Sequence, residues 1–208
     1  MAHEEIELYL KLMVDVKTRI KFINQILSKR NTTGSNETDI EFCCLQLRKI
    51  LELVSLGSLV MHKNEFEKQS EKYKTFWNSK RILEDIEKIN PDFYPKPICI
   101  DLEKSSNNNA FIYDMKDGFL DKNQFIDVYN ECSKILHSDN PYGPKSNYEY
   151  YKKELKNWGE RIIYLLKLHM IRLYKGDGVY LVYVYNANDD NVHATHCPDA
   201  KNSPLDKI

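Results

Sequence analysis

Residues 38–63 read TDIEFCCLQLRKILELVSLGSLVMHK, a segment with a wider apolar band than a surface helix needs. Its apolar side chains recur at intervals of three and four residues, which is the spacing of one helix face. Ser55, Gly57 and Ser58 lie inside this helix, where glycine costs about 1 kcal/mol relative to alanine. Such small side chains indicate that another backbone packs closely, in a helix crossing or a dimer contact. The segment is therefore predicted to be the central core helix, with an apolar band formed by Ile40, Cys43, Leu47, Ile50, Leu51, Val54, Leu56, Leu59 and Val60.

Further helices are predicted on both sides of this one. Residues 4–29 place apolar side chains at helical spacing, and the polar, turn-rich residues 30–36 end that first helix. Residues 64–90 are highly charged but keep a thin apolar stripe. We therefore expect a long amphipathic first helix, and one or two shorter helices after the central one.

Capping boxes predict the starts of two later helices. Asp121 with Gln124 precedes an apolar stripe that predicts a helix over residues 122–137. Ser146 with Glu149 repeats the pattern before a long last helix, predicted to continue to about Tyr174.

The remaining segments indicate less regular structure. Residues 91–120 contain three prolines and a polar tract, which predicts an irregular insertion with room for a small strand pair. Residues 179–185 are β-branched and aromatic, and a turn separates them from the alternating residues 192–196, so a C-terminal β-hairpin is expected. The predicted fold class is mainly α: an antiparallel helical bundle with this insertion and hairpin. One domain is expected over residues 1–198, followed by a flexible tail at 199–208.

Charge and cysteine content argue against several classes of function. The chain has 30 Lys and Arg against 31 Asp and Glu, so its overall field does not attract phosphate backbones or anionic membranes. No segment reaches the ~18 apolar residues of a membrane helix, and residues 1–5 are acidic where a signal peptide is basic. The five cysteines are scattered and form no CxxC pair, which predicts reduced thiols. We therefore expect a cytoplasmic protein with no membrane partner.

Polar residues on two predicted helices form the candidate site. Arg48 and Glu52 are four residues apart, so they share a helix face and can form an ion pair. Alternatively, Arg48 presents its guanidinium group to a phosphate. A second set of polar residues converges near the end of the helix at 122–137, where a groove between helices is expected: Asn130, Lys134, His137, Asp139 and Asn140. Histidine suits general acid–base catalysis, but in a last helical turn it also simply favours the helix dipole.

Neither a metal nor a cofactor is expected. His193, His196 and Cys197, with His169 further away, offer metal-binding side chains, but their spacing matches no structural zinc pattern. Strand alternation would also send His193 and His196 to opposite faces. The sequence contains no Gly-rich phosphate loop, zinc-protease motif or dinucleotide fingerprint.

Clustered tyrosines give a separate indication. Tyr142, Tyr148, Tyr150 and Tyr151 lie near several lysines. Aromatic rings beside cations are typical of surfaces on which single-stranded nucleic acid stacks. The same composition also arises from coding bias alone, so this indication has little weight.

Two short motifs resemble those of a known superfamily. Residues 47–52, LRKILE, resemble the R-x-x-L-E helix of HEPN-like bundle proteins. Residues 135–141, ILHSDNP, resemble the end of a later helix in the same group. Long helices separated by a polar insertion are also similar to that superfamily's bundle, and the organisation implied covers most of residues 4–175.

The resemblance implies a homodimer in a bacterial stress, toxin–antitoxin or phage-defence system that binds RNA or a nucleotide. Nuclease members carry an Arg followed four to six residues later by a His on one helix, and this chain has no such pair. RNA cleavage would therefore need Arg48 and His137 to meet in space, with five binding residues around them: Glu52, Asn130, Lys134, Asp139 and Asn140. The alternative is a non-catalytic protein–protein interaction module that uses the same helical groove. Whether the protein is an enzyme stays open at this stage.

Overall fold

The computed structural model describes residues 2–63, 67, 79–106, 109–172, 178–185 and 189–198, which form helices packed on an antiparallel sheet. The helices are α1 (Ala2–Leu27), α2 (Asn36–Met61), α3 (Ser79–Ile89), α4 (Lys122–Ile135) and α5 (Tyr148–Leu166). The strands are β1 (Lys96–Ser106), β2 (Asn109–Asp114), β3 (Leu168–Arg172), β4 (Val179–Tyr183) and β5 (His193–Cys197). No helix in the described ranges is long and apolar enough to cross a lipid bilayer.

The central helix is α2, as its apolar band predicts. It contacts α1, α3, α4 and α5, and its side chains Leu47, Ile50 and Leu51 are completely buried. Ser35 caps its first turn by accepting a hydrogen bond from the Thr38 amide. The core therefore forms around α2, with the other four helices arranged about it.

The small residues of α2 mark a close helix crossing. A Cβ placed on Gly57 would lie 2.8 Å from Cε2 of the Tyr9 ring, which is shorter than any normal contact. Glycine is thus required for Tyr9 of α1 to lie directly against the α2 backbone. Of the two uses expected for these residues, the helix crossing is the one observed at Gly57.

All five strands belong to one sheet, in the order β2-β1-β3-β4-β5, with antiparallel neighbours. One face of the sheet, including Ile171, Tyr180 and Val182, joins the main core below the helices. The other face carries a smaller cluster around Ile98, Val179 and Leu181. The described chain is therefore mixed α and β, and the expectation of a mainly α fold was wrong.

Two misassigned segments account for that difference. The last helix ends at Leu166 instead of reaching Tyr174, because the next residues form β3, in which His169 and Ile171 are buried between half-buried neighbours. A short apolar run of this kind fits a helix turn as well as a strand. Most of the irregular insertion at 91–120 is also regular. β1 and β2 lie within it and form the small strand pair for which the sequence left room, and β1 also pairs with β3. β4 and β5 pair as further strands of this sheet.

The cysteines and the last residues of the chain were also the subject of predictions. All five cysteines are free, and Cys43, which was predicted to lie in the apolar band, is buried in the core beside Cys44. Residues 199–208, expected to be a flexible tail, lie outside the described residues. The single domain expected over 1–198 stays a prediction.

Candidate binding site

Arg48 belongs to a compact polar cluster between α2 and α4. Its Nε donates to Oε1 of Glu52 at 3.2 Å, and one terminal nitrogen donates to the Tyr129 hydroxyl at 3.3 Å. The same hydroxyl donates to Oε1 of Glu52 at 3.3 Å. The guanidinium also lies over the Tyr129 ring, 5.2 Å from its centroid. Arg48 is thus held by two neighbours from two helices.

The positive charge of Arg48 is balanced within this cluster. Partial burial lowers the pKa of the Arg48 guanidinium, but the contacts with Tyr129 and Glu52 outweigh burial and raise the pKa above its ordinary value. Arg48 therefore stays charged, and its charge is matched inside the protein by a carboxylate. A phosphate at this position would therefore compete with the Glu52 carboxylate for the guanidinium.

His137 lies after the end of α4 and is not part of this cluster. Its side chain is exposed, and its backbone amide donates to the Lys134 carbonyl at 3.2 Å. It comes eight residues after Tyr129, and α4 ends at Ile135 before it. In the described part of the chain, the hydrogen bonds and the ion pair of Arg48 go to Glu52 and Tyr129, and none goes to His137.

Asp139 and Asn140 stabilise the turn after α4. Oδ1 of Asp139 accepts from the Ser146 hydroxyl at 2.6 Å and from its amide at 3.1 Å, and these bonds lower the pKa of the Asp139 carboxyl. Oδ1 of Asn140 accepts from the Tyr142 amide at 3.0 Å. Both side chains are therefore engaged in local turn structure.

Asn130 and Lys134 line a shallow polar groove of about 570 Å³ between α4 and the start of α5. The other lining residues are Asp127, Glu131 and Tyr150. Lys134 pairs with Glu131 at 2.5 Å, an interaction that raises the pKa of the Lys134 ammonium. The Tyr150 side chain is 42% exposed at the edge of the groove. Two of the predicted binding residues thus share one surface, the α4–α5 groove.

The histidines considered as metal ligands are separated. His169 is completely buried and accepts at Nε2 from the Tyr9 hydroxyl at 2.7 Å, while Nδ1 donates to the Leu166 carbonyl at 3.0 Å. His193 bonds Asp189 at 2.9 Å. His196 lies against the Tyr180 ring, with centroids 4.8 Å apart. Within the described ranges no three His, Cys, Asp or Glu side chains are grouped as metal ligands.

Tyr129 is the site residue that the sequence does not reveal. Spacing on one helix predicts the pairing of Arg48 with Glu52, but Tyr129 reaches them from a helix far along the chain. The spacing of Tyr129 on the apolar face of α4 predicts that it is buried, but it does not predict a contact with Arg48. Tyr150 was noted as a candidate for nucleic-acid stacking, and it instead borders a groove that contains two carboxylates.

Comparisons with known proteins give no relative: no family model, no curated protein and no solved structure matches the chain. The HEPN-like resemblance therefore depends on its two short motifs. Function is inferred below from the geometry of the site.

Proposed function

We propose that the protein is a non-catalytic interaction module that binds a protein partner through the α4–α5 groove. One observation carries the proposal: Arg48 is committed to Glu52 and Tyr129, while His137 is exposed beyond the end of α4. General acid–base cleavage of RNA needs the cation and the histidine around a common phosphate. Within the described part of the chain, no hydrogen bond or ion pair joins these two residues.

The α4–α5 groove has the character of a protein-binding surface. Tyrosine is enriched where proteins associate, because its ring buries a large area at a low entropic cost. Tyr150 is exposed beside the polar side chains of Asn130 and Lys134, which can give directional hydrogen bonds. Asp127 and Glu131 outnumber Lys134, so the groove does not favour a phosphate backbone.

The wider setting is proposed from the resemblance. The LRKILE motif lies on α2, and the ILHSDNP motif spans the end of α4 and the turn after it. We propose that α1, α2, α4 and α5 are a HEPN-like bundle to which the sheet is added. The protein would then act as a cytoplasmic homodimer in a bacterial stress or phage-defence system. Sedimentation equilibrium tests the dimer, which has twice the 24.6 kDa mass of the chain.

A site-specific photo-cross-linking experiment tests the binding surface. A photoreactive amino acid replaces Tyr150 in the full chain, and the protein is irradiated in the cells it comes from. We expect a discrete cross-linked protein, whose yield falls when Lys134→Glu is added. Tyr142 is the matched control, since it is 98% exposed and does not line the groove. Equal cross-linking from positions 142 and 150, or none from 150, would contradict the proposal.

A further inference from the structure

A second and larger groove lies on the opposite side of α5. It has a volume of about 1290 Å³ and is lined by residues 14–30 of α1 and the loop after it, by the start of α2, and by one face of α5. Three apolar side chains on α1 line it and remain exposed: Val14 (50%), Phe22 (43%) and Leu27 (36%). Apolar side chains open to water in one groove mark a surface that another molecule can cover. We call this surface the α1–α5 groove.

The rim of the α1–α5 groove is basic. Six cationic side chains and three carboxylates line it. Asp190 pairs with Lys17 at 2.5 Å, Glu160 pairs with Lys156 at 3.9 Å, and Asp39 accepts hydrogen bonds from Thr32 and Thr33. Four cations of the rim make no ion pair with any carboxylate in the described part of the chain: Lys21, Lys29, Arg30 and Lys152. The groove therefore presents an excess of positive charge in a protein whose net charge is −1.

Gly159 gives a third, independent observation. It lies inside α5 and lines the groove, and a Cβ added to it would meet no atom within 4 Å. A glycine inside a helix costs about 1 kcal/mol relative to alanine. At Gly57 the Tyr9 ring explains the missing side chain, whereas nothing inside the protein explains it at Gly159. A missing Cβ on an open groove lets another backbone approach closely.

We infer that the α1–α5 groove binds an amphipathic helix with an acidic polar face, supplied by a protein partner. Val14 and Phe22, which lie within about 80° of each other around α1, can meet the apolar stripe of such a helix, and the unpaired cations match its carboxylates. Residues 14–27 of α1 correspond to about 21 Å of helix, enough to hold a guest of about four turns. Single-stranded nucleic acid would use the cations and the Phe22 ring but has no use for the aliphatic side chains of Val14 and Leu27. The inference is independent of the α4–α5 groove, which lies on another face of α5.

Peptide libraries test this inference with the intact protein. Three libraries of 20-residue amphipathic helices share one leucine stripe and carry acidic, neutral or basic polar faces. We expect the acidic library to yield the strongest enrichment on the immobilised protein. The selected peptides should bind at least tenfold more weakly to Lys21→Glu/Lys152→Glu and to Gly159→Trp, whose Cβ meets no atom within 4 Å and whose ring would extend into the groove. Lys153→Glu is the matched control, because Lys153 is exposed on α5 but does not line the groove.

The outcomes separate the possibilities. Circular dichroism and thermal melting establish first that each variant folds. Enrichment of the acidic library with loss in the groove variants and not in Lys153→Glu supports the inference. No preference for acidic over basic peptides, or equal binding to Gly159→Trp, overturns it. Tighter binding of a single-stranded RNA oligonucleotide that depends on the same residues also overturns it.

Discussion

At the residue scale, two buried histidines connect helices to the sheet. His169 of β3 joins Tyr9 of α1, and Asn90 donates to Nε2 of His62 at 2.7 Å and to the Arg172 carbonyl at 3.1 Å. A carbonyl oxygen only accepts, so Nδ1 of His169 carries a proton. Burial disfavours a second proton on the ring, so His169 is neutral and Nε2 accepts from the Tyr9 hydroxyl. Burial lowers its pKa to about 4, from 6.5 in an unfolded chain.

The first prediction concerns the pH dependence of stability. A histidine with a lowered pKa binds its proton only after unfolding, so its contribution is complete above pH 6.5 and is lost as the pH falls towards 4. The free energy of unfolding should fall by about 1.4 kcal/mol per pH unit in that range because of His169. Urea titrations at several pH values measure this slope.

Two variants identify the histidine responsible for the slope. His169→Gln should be less stable at pH 7 but should lose this part of the slope. His137→Gln, at an exposed position, should retain the full slope. An unchanged slope in His169→Gln would show that other groups control the acid sensitivity.

The second prediction concerns the role of Arg48. If Arg48 is structural, Arg48→Ala should lower the free energy of unfolding by about 1 kcal/mol, since the ion pair is only partly buried and solvent screens it. A double-mutant cycle of Arg48→Ala with Tyr129→Phe should give a coupling energy of about 0.5 kcal/mol or more. Additive effects of the two substitutions would show that the contact between Arg48 and Tyr129 does not stabilise the fold.

At the scale of elements, local signals predict helix starts well and strand pairing poorly. Asp121 caps α4 with Gln124 as the capping box indicates. At α5 the cap is Asn147, because Ser146 donates instead to Asp139. The pairing of β3 with β1 and β4 depends on residues distant in sequence, which periodicity within one segment does not report. For the same reason the spacing of Arg48 and Glu52 was predictable, while their shared contact with Tyr129 was not.

The third prediction concerns the crossing of α1 and α2. Gly57→Ala should lower the free energy of unfolding by about 1–2 kcal/mol, because the clash with the Tyr9 ring outweighs the gain in helix propensity. Gly159→Ala, with open space around it, should instead raise the free energy of unfolding by about 1 kcal/mol. Chemical denaturation of the two variants measures both effects. Equal stabilisation by the two alanine variants would show that Tyr9 of α1 does not pack against the α2 backbone at Gly57.

At the scale of the whole molecule, α5 separates two surfaces of different character. The α4–α5 groove is polar, with carboxylates and Tyr150, and the α1–α5 groove is basic with apolar side chains. Each surface lies on helices that pack on α2, so both are held on one core. A module with two such faces can hold two partners together.

The fourth prediction is that the two surfaces act independently. Tyr150→Ala should leave the affinity for the selected acidic peptides unchanged within about twofold, because distant sites without shared contacts are usually additive. Fluorescence anisotropy with a labelled peptide measures the affinity. A large loss of peptide affinity in Tyr150→Ala would mean that the two grooves form one coupled site.

We propose that the protein binds a protein partner and does not cleave RNA, and a cleavage assay with purified protein tests this most directly. End-labelled RNAs of mixed sequence are incubated with the wild type, His137→Ala and Arg48→Ala, and the fragments are separated on a gel. We predict no fragments above the protein-free background with any of the three proteins. Fragments that appear with the wild type and disappear with His137→Ala would contradict the claim and make the protein a nuclease.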